Sequence, residues 1–131
     1  MLITAGEADS AAADLAPVAQ ALAAGVRLVQ LREKGLADRD LLALARRLRA
    51  LTRDHGALLL VNGRPDIALA AEADGVHLPV AGLPAPVVRA LLGPGRLVGR
   101  SCHTLAEVAA AEAEGADYAT FGPVYPTPSK A

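Results

Sequence analysis

Short apolar runs and apolar positions at helical spacing take turns along this chain. Leu2-Ile3-Thr4 starts as a short extended segment. Leu15, Val18 and Leu22 then recur at helical spacing, with Asp14 as the capping residue and Gly25 as the stop. Val26 to Arg32 reads as a strand, and Leu41, Ala45 and Leu48 restore the helical period between Asp38 and His55-Gly56. Ala57 to Val61 is a continuous apolar run, the pattern of a strand buried on both faces. Pro65 opens the next helix, at a position where a missing N–H leaves nothing unpaired. Gly75-Val76-His77-Leu78 predicts a strand, and Pro84, Val87, Val88 and Leu91 a helix that Gly93-Pro94 stops. Arg96-Leu97-Val98-Gly99 follows as a strand. Thr104 and Glu107 stand at the spacing of a capping box, for a helix that Gly115 ends. Tyr118, Thr120 and Phe121 then favour a last strand, closed by Gly122-Pro123.

Strand and helix therefore alternate, at a period of roughly twenty to thirty residues, as in a parallel sheet built from right-handed crossovers. An open doubly wound sheet and a (β/α)8 barrel both satisfy that pattern. No G-x-G-x-x-G follows the first strand, which weighs against a dinucleotide-binding sheet. A barrel instead demands polar residues at the C-terminal ends of several strands. They are present: Gln30 and Arg32, Asn62, His77, Ser101 and His103, and Thr120. Along Leu28 to Arg32 the polar Gln30 and Arg32 share one face, and Val29 and Leu31 the other. The expectation is an α/β chain of (β/α)8 TIM-barrel type, a single domain over residues 1–131 that carries the first six β/α units. A full barrel takes roughly 200–250 residues. The pattern thus predicts a fragment or short form, with a homo-oligomer or completion of the barrel by another chain, since open edge strands invite pairing.

Composition narrows the partners. A net charge of -1 and 2% aromatic residues provide neither a basic stripe nor stacking rings, which excludes nucleic acid. No apolar run approaches a membrane span, and the N-terminus has no basic-then-apolar signal pattern. The single Cys102 rules out an internal disulfide and fits a reducing, cytoplasmic setting. Any anion is bound by a local site. One loop suits that role: Thr127, Ser129 and Lys130 offer two hydroxyls and an ammonium, stiffened by Pro126 and Pro128, as a phosphate oxyanion requires.

Five segments, in order, resemble one family. Gln30-Leu31-Arg32-Glu33-Lys34, Val61 to Leu69, Ala73 to Leu78, Gly99 to Thr104 and Gly122 to Lys130 are similar to the thiamine-phosphate synthase/TenI family. The resemblance implies a (β/α)8 barrel that handles a small-molecule thiazole phosphate in thiamine biosynthesis. The synthase branch joins a pyrimidine pyrophosphate to the thiazole phosphate and uses Mg²⁺; its motifs carry Asp where this chain has Gly63 and Gly82. Mg²⁺ wants oxygen ligands, commonly carboxylates beside the phosphates, and both are glycine here. Asn62-Gly63-Arg64, Leu78-Pro79 and Gly99-Arg100-Ser101 look like the TenI branch. The expectation is thus a thiazole tautomerase that aromatises a carboxythiazole phosphate by proton transfer, with no cofactor and no metal. The alternatives are the synthase itself, with Mg²⁺, and a phosphate-binding or regulatory protein without turnover.

On that basis His103 is the expected catalytic acid/base. It precedes the cap Thr104, where the helix dipole disfavours imidazolium and keeps the ring able to take a proton. Gln30, Arg32, Lys34, Asn62, Ser101, Thr127, Ser129 and Lys130 are the expected substrate contacts, the planar fork of Arg32 suiting a carboxylate. Cys102 alternates with Ser101 and His103, so it should face the helices as a small core residue. His77 should fill the barrel interior, since no second ligand lies at a useful spacing for metal.

Overall fold

Each strand and helix of the alternating pattern is present in the computed structural model, which describes residues 1–128. The strands are β1 (Leu2–Ile3), β2 (Leu28–Leu31), β3 (Leu58–Asn62), β4 (Gly75–Leu78), β5 (Leu97–Cys102) and β6 (Tyr118–Phe121). Between them run α1 (Ala16–Ala23), α2 (Asp38–Asp54), α3 (Pro65–Ala70), α4 (Ala85–Leu92) and α5 (Leu105–Ala113). All neighbouring strands pair in parallel, and the sheet order is β1-β2-β3-β4-β5-β6. A doubly wound sheet reverses its order at a switch point. This one does not reverse, so the described residues form the six-stranded portion of a barrel, with β1 and β6 as its edges.

The two faces divide as the alternation predicts. Val29, Leu31, Leu59, Val61, Val76, Leu78 and Val98 point outward into one core, with Val18, Leu22, Leu44, Leu48, Ile67 and Val88 of the helices. Helices pack on that face and the inner face buries Leu60 as well, hence the apolar run of β3. The inner face carries Gln30, Leu60, Asn62, His77, Gly99, Ser101, Tyr118 and Thr120. Register places them side by side: Asn62 with His77, His77 with Gly99, Gly99 with Tyr118, Ser101 with Thr120. Gly99 has to be glycine, because a Cβ there would fall inside the Tyr118 ring.

The N-terminal ends of the strands are tied by a repeated device. Asp74, just before β4, accepts a hydrogen bond from the Leu59 amide at 2.8 Å and pairs with Arg49 of α2 at 3.4 Å. Asp117, just before β6, accepts from the Val98 amide at 2.8 Å and pairs with Arg89 of α4 at 2.6 Å. In each case a carboxylate joins two strands to the helix outside them. This is the end that a barrel uses for stability.

Several boundaries differ from the expected ones, β2 narrowing to Leu28–Leu31 and β3 running Leu58–Asn62 among them. Helix α1 begins at Ala16 after Leu15, while Asp14 still serves its start by accepting from the Ala16 amide at 2.9 Å. Strand β5 runs on to Cys102, because Ser101 and Cys102 keep pairing with Thr120 and Phe121. Helix α5 opens as the sequence predicts: Thr104 Oγ1 accepts from the Glu107 amide, and the Glu107 carboxylate accepts from the Thr104 amide, both at 3.1 Å.

Candidate active site at the C-terminal ends of the strands

Hydrogen bonds link the inner-face polar residues into a floor. Asn62 Nδ2 donates to Gln30 Oε1 at 2.8 Å, and Gln30 Nε2 reaches Met1 Sδ at 3.5 Å. The buried ring of His77 bridges Ser101 Oγ at 2.7 Å through Nε2 and the Tyr118 hydroxyl at 2.8 Å through Nδ1. One ring nitrogen donates and the other accepts, so a neutral imidazole is fully satisfied. Burial lowers the His77 pKa and pushes the Tyr118 phenol up to about 12. Both groups are therefore uncharged near neutral pH. The floor is polar and neutral, its buried amides, imidazole and hydroxyls paired with one another.

Two clefts open beside this floor. One, of about 240 Å³, is lined by Glu33, Lys34, Val61, Asn62, Gly63 and Arg64, among others. Its rim is held by the β1–α1 loop: the Glu33 carboxylate accepts from the Gly6 and Ala8 amides at 3.2 Å each, and the Arg32 amide donates to Thr4 Oγ1 at 2.9 Å. Arg64 is gripped from two sides, donating to both oxygens of Asp66 at 3.1 and 2.9 Å and to Asp38 at 2.9 Å. Those carboxylates raise its pKa further still. The second cleft, of about 300 Å³, is lined by Ser101, His103, Thr120, Phe121, Gly122 and Thr127, with two others.

The expected site residues fall into these places. Gln30 and Asn62 are bonded to each other, and Lys34 shares the first cleft with Asn62. Ser101, His103 and Thr127 line the second. Arg32 lies exposed beyond the end of β2. His103 is exposed, with Nδ1 donating to the Gly122 carbonyl at 2.5 Å, which in the neutral ring leaves Nε2 as acceptor. Ser129 and Lys130 lie outside the described residues. Cys102 is buried, and burial raises its thiol pKa. His77 fills the interior as expected.

Sequence reasoning missed Tyr118, which it read only as a strand former. A signal existed, since a buried imidazole needs two partners and Ser101 supplies one. It also missed Arg100, which donates to the Val80 and Leu83 carbonyls at 3.1 and 2.8 Å and so pins the β4–α4 loop.

The Mg²⁺ that the synthase resemblance implies does not fit the donors present. Gly63 and Gly82 offer no side chain, and Pro79 lies against both. A Cβ on Gly82 would meet Pro79 Cδ at 2.9 Å and its carbonyl oxygen at 3.0 Å. Glu33 is committed to backbone amides, and Asp38 and Asp66 to Arg64. Among the described residues, no group of three or more His, Cys, Asp or Glu is placed to hold a metal ion. Nor is any helix among them long and apolar enough to cross a membrane.

Comparison with known proteins agrees with the geometry in part and corrects it in part. A family model described as "Thiamine monophosphate synthase" matches residues 1–131. A "Putative thiamine-phosphate synthase" of Geobacter sulfurreducens is 66% identical over 117 residues, covering 89% of this chain and 55% of that protein. A "Thiamine-phosphate synthase" of Moorella thermoacetica is 53% identical over 110 residues, covering 84% of this chain and 52% of that protein. The structure of a thiamine phosphate pyrophosphorylase from Pyrococcus furiosus superposes with a TM-score of 0.86 at 35% identity, over 98% of this chain and 62% of that one. The chain thus spans little more than half the length of these two curated relatives. These names overturn the tautomerase expectation in favour of the synthase alternative. That expectation took two glycines as the mark of a reaction, whereas missing carboxylates bear on how phosphate charge is met and leave the bond made or broken undecided. With its whole length matched by the family model, the chain belongs to the thiamine monophosphate synthase family.

Proposed function

We propose that the protein to which these six β/α units belong is a thiamine-phosphate synthase, joining a pyrimidine pyrophosphate to a thiazole phosphate with release of pyrophosphate. The observation that carries this reading is the neutral inner-face network Gln30–Asn62 and Ser101–His77–Tyr118, which Asn62 and Ser101 bring to the C-terminal strand ends. A nitrogen-bearing ring can bond to those amides and hydroxyls without meeting a charge. The cleft with Lys34 and the cleft with Ser101, His103 and Thr127 flank the floor, so two phosphorylated substrates can approach it from different sides. The sequence adds Arg32, Thr127, Ser129 and Lys130 as further cations and hydrogen-bond donors for those phosphates. Holding two reactants in line lowers the barrier chiefly by orientation, which this chain's fixed, paired side chains favour.

The test is formation of thiamine phosphate by the full-length protein from the two substrates, followed by chromatography. Gln30→Ala and Ser101→Ala should each lower kcat/KM roughly ten- to a hundredfold, as lost positioning contacts do. Absence of product from the unmodified protein would refute the proposal.

A further inference from the structure

We propose that the cleft at the ends of β2 and β3 binds its phosphorylated ligand without a divalent cation, and that Pro79, packed against Gly63 at its edge, closes it to one. The inference rests on the synthase reading for the identity of the ligand. It stands on three observations.

The first is steric. Pro79 lies between Gly63 and Gly82, 3.7 Å from where a Cβ on Gly63 would sit and 2.9 Å from one on Gly82. Gly63 also holds a φ of +65°, a conformation that most side chains disfavour. The Gly82 amide donates to the Pro79 carbonyl at 2.9 Å, and Arg100 fixes the same turn from β5. A side chain cannot enter at residue 82 unless Pro79 or this pinned turn moves.

The second is the state of the carboxylates. Glu33 is turned onto two backbone amides, and Arg64 occupies Asp38 and Asp66 through three nitrogen–oxygen contacts of 3.1 Å or less. A metal would have to displace a guanidinium from Asp66 to gain a ligand. The same pairing lessens the repulsion that these carboxylates would exert on an anion.

The third is the cation that remains. Lys34 lines the cleft with the Asn62 amide, and Arg32 follows Gln30 on the same alternation of β2. An ammonium and a guanidinium can meet the charge that a metal meets elsewhere.

The experiment is calorimetric titration of the full-length protein with inorganic pyrophosphate, first in EDTA and then with millimolar free Mg²⁺. The expected result is binding in EDTA that Mg²⁺ leaves within about twofold or weakens, since Mg²⁺ then only competes for the ligand. Tightening of tenfold or more by Mg²⁺ would overturn the inference and leave the synthase reading standing. No binding in either buffer would also overturn it, and thiamine phosphate formation by the same preparation then tells whether the synthase reading fails as well. A Pro79→Gly/Gly63→Asp/Gly82→Asp protein should acquire the tenfold Mg²⁺ effect. Gly63→Asp/Gly82→Asp alone, with Pro79 in place, should not.

Discussion

His77 and Tyr118 come from strands β4 and β6, 41 residues apart in sequence, and meet through a hydrogen bond of 2.8 Å over Gly99 of the strand between them. Their ring centroids lie 5.6 Å apart. The contact depends on the intervening strand presenting no side chain. Burial keeps both partners neutral near pH 7.

A pH dependence follows. Burial lowers the His77 pKa, so the folded chain binds fewer protons here than the unfolded chain. The stability this provides is present above the ordinary value of 6.5 and is lost as pH falls through the lowered native value. Burial of Tyr118 acts at the other end: its contribution is complete below pH 10 and is lost as pH rises toward about 12. Urea unfolding at a series of pH values should show both losses, and His77→Gln should remove the acid one.

Gly99→Ala should be among the most damaging small substitutions in the chain. The new methyl would overlap the Tyr118 ring, which must leave its place and release the His77 nitrogen. Overpacking together with an unpaired buried imidazole should cost about 3 kcal/mol or more. Tyr118→Phe, which frees the nitrogen without overpacking, should cost about 1–3 kcal/mol. Denaturant midpoints of the two proteins check the order; an unperturbed Gly99→Ala would contradict the packing.

Much of this was legible in the sequence, for reasons of range. Strand and helix order followed from hydrophobic period, which is local. The capping box at Thr104 and Glu107 is also local, and it formed as predicted. The inner-face residues Gln30, Asn62, His77 and Ser101 could be picked out, because polar residues on a buried parallel strand need a reason. Tyr118 could not, because its role is set by register against Gly99 and by a partner two strands away. Pro79 was noticed only as part of a family likeness, because its effect lies in the space it takes from Gly63 and Gly82. The two glycines were visible, but they were read as evidence about the reaction when they bear on the metal.

The paired aspartates at the opposite end make a separate prediction about stability. Asp117→Ala removes an acceptor from the Val98 amide and the partner of Arg89, and Asp74→Ala does the same for the Leu59 amide and Arg49. Each should cost about 1–2 kcal/mol, most of it from the unpaired strand amide rather than the solvent-screened ion pair. Neither should change kcat in the full-length protein by more than about twofold, since both lie at the barrel's stabilising end. Thermal melts and steady-state rates, measured side by side, separate the two effects.

The central claim is that these strand ends form a synthase site, and phosphorus NMR of the full-length protein tests it most directly. With the pyrimidine pyrophosphate and the thiazole phosphate both present, the account predicts that free pyrophosphate and thiamine phosphate appear together, in equal amounts. With either substrate alone, neither should appear. Unchanged substrate signals in the mixture, over hours and at high protein concentration, would contradict it.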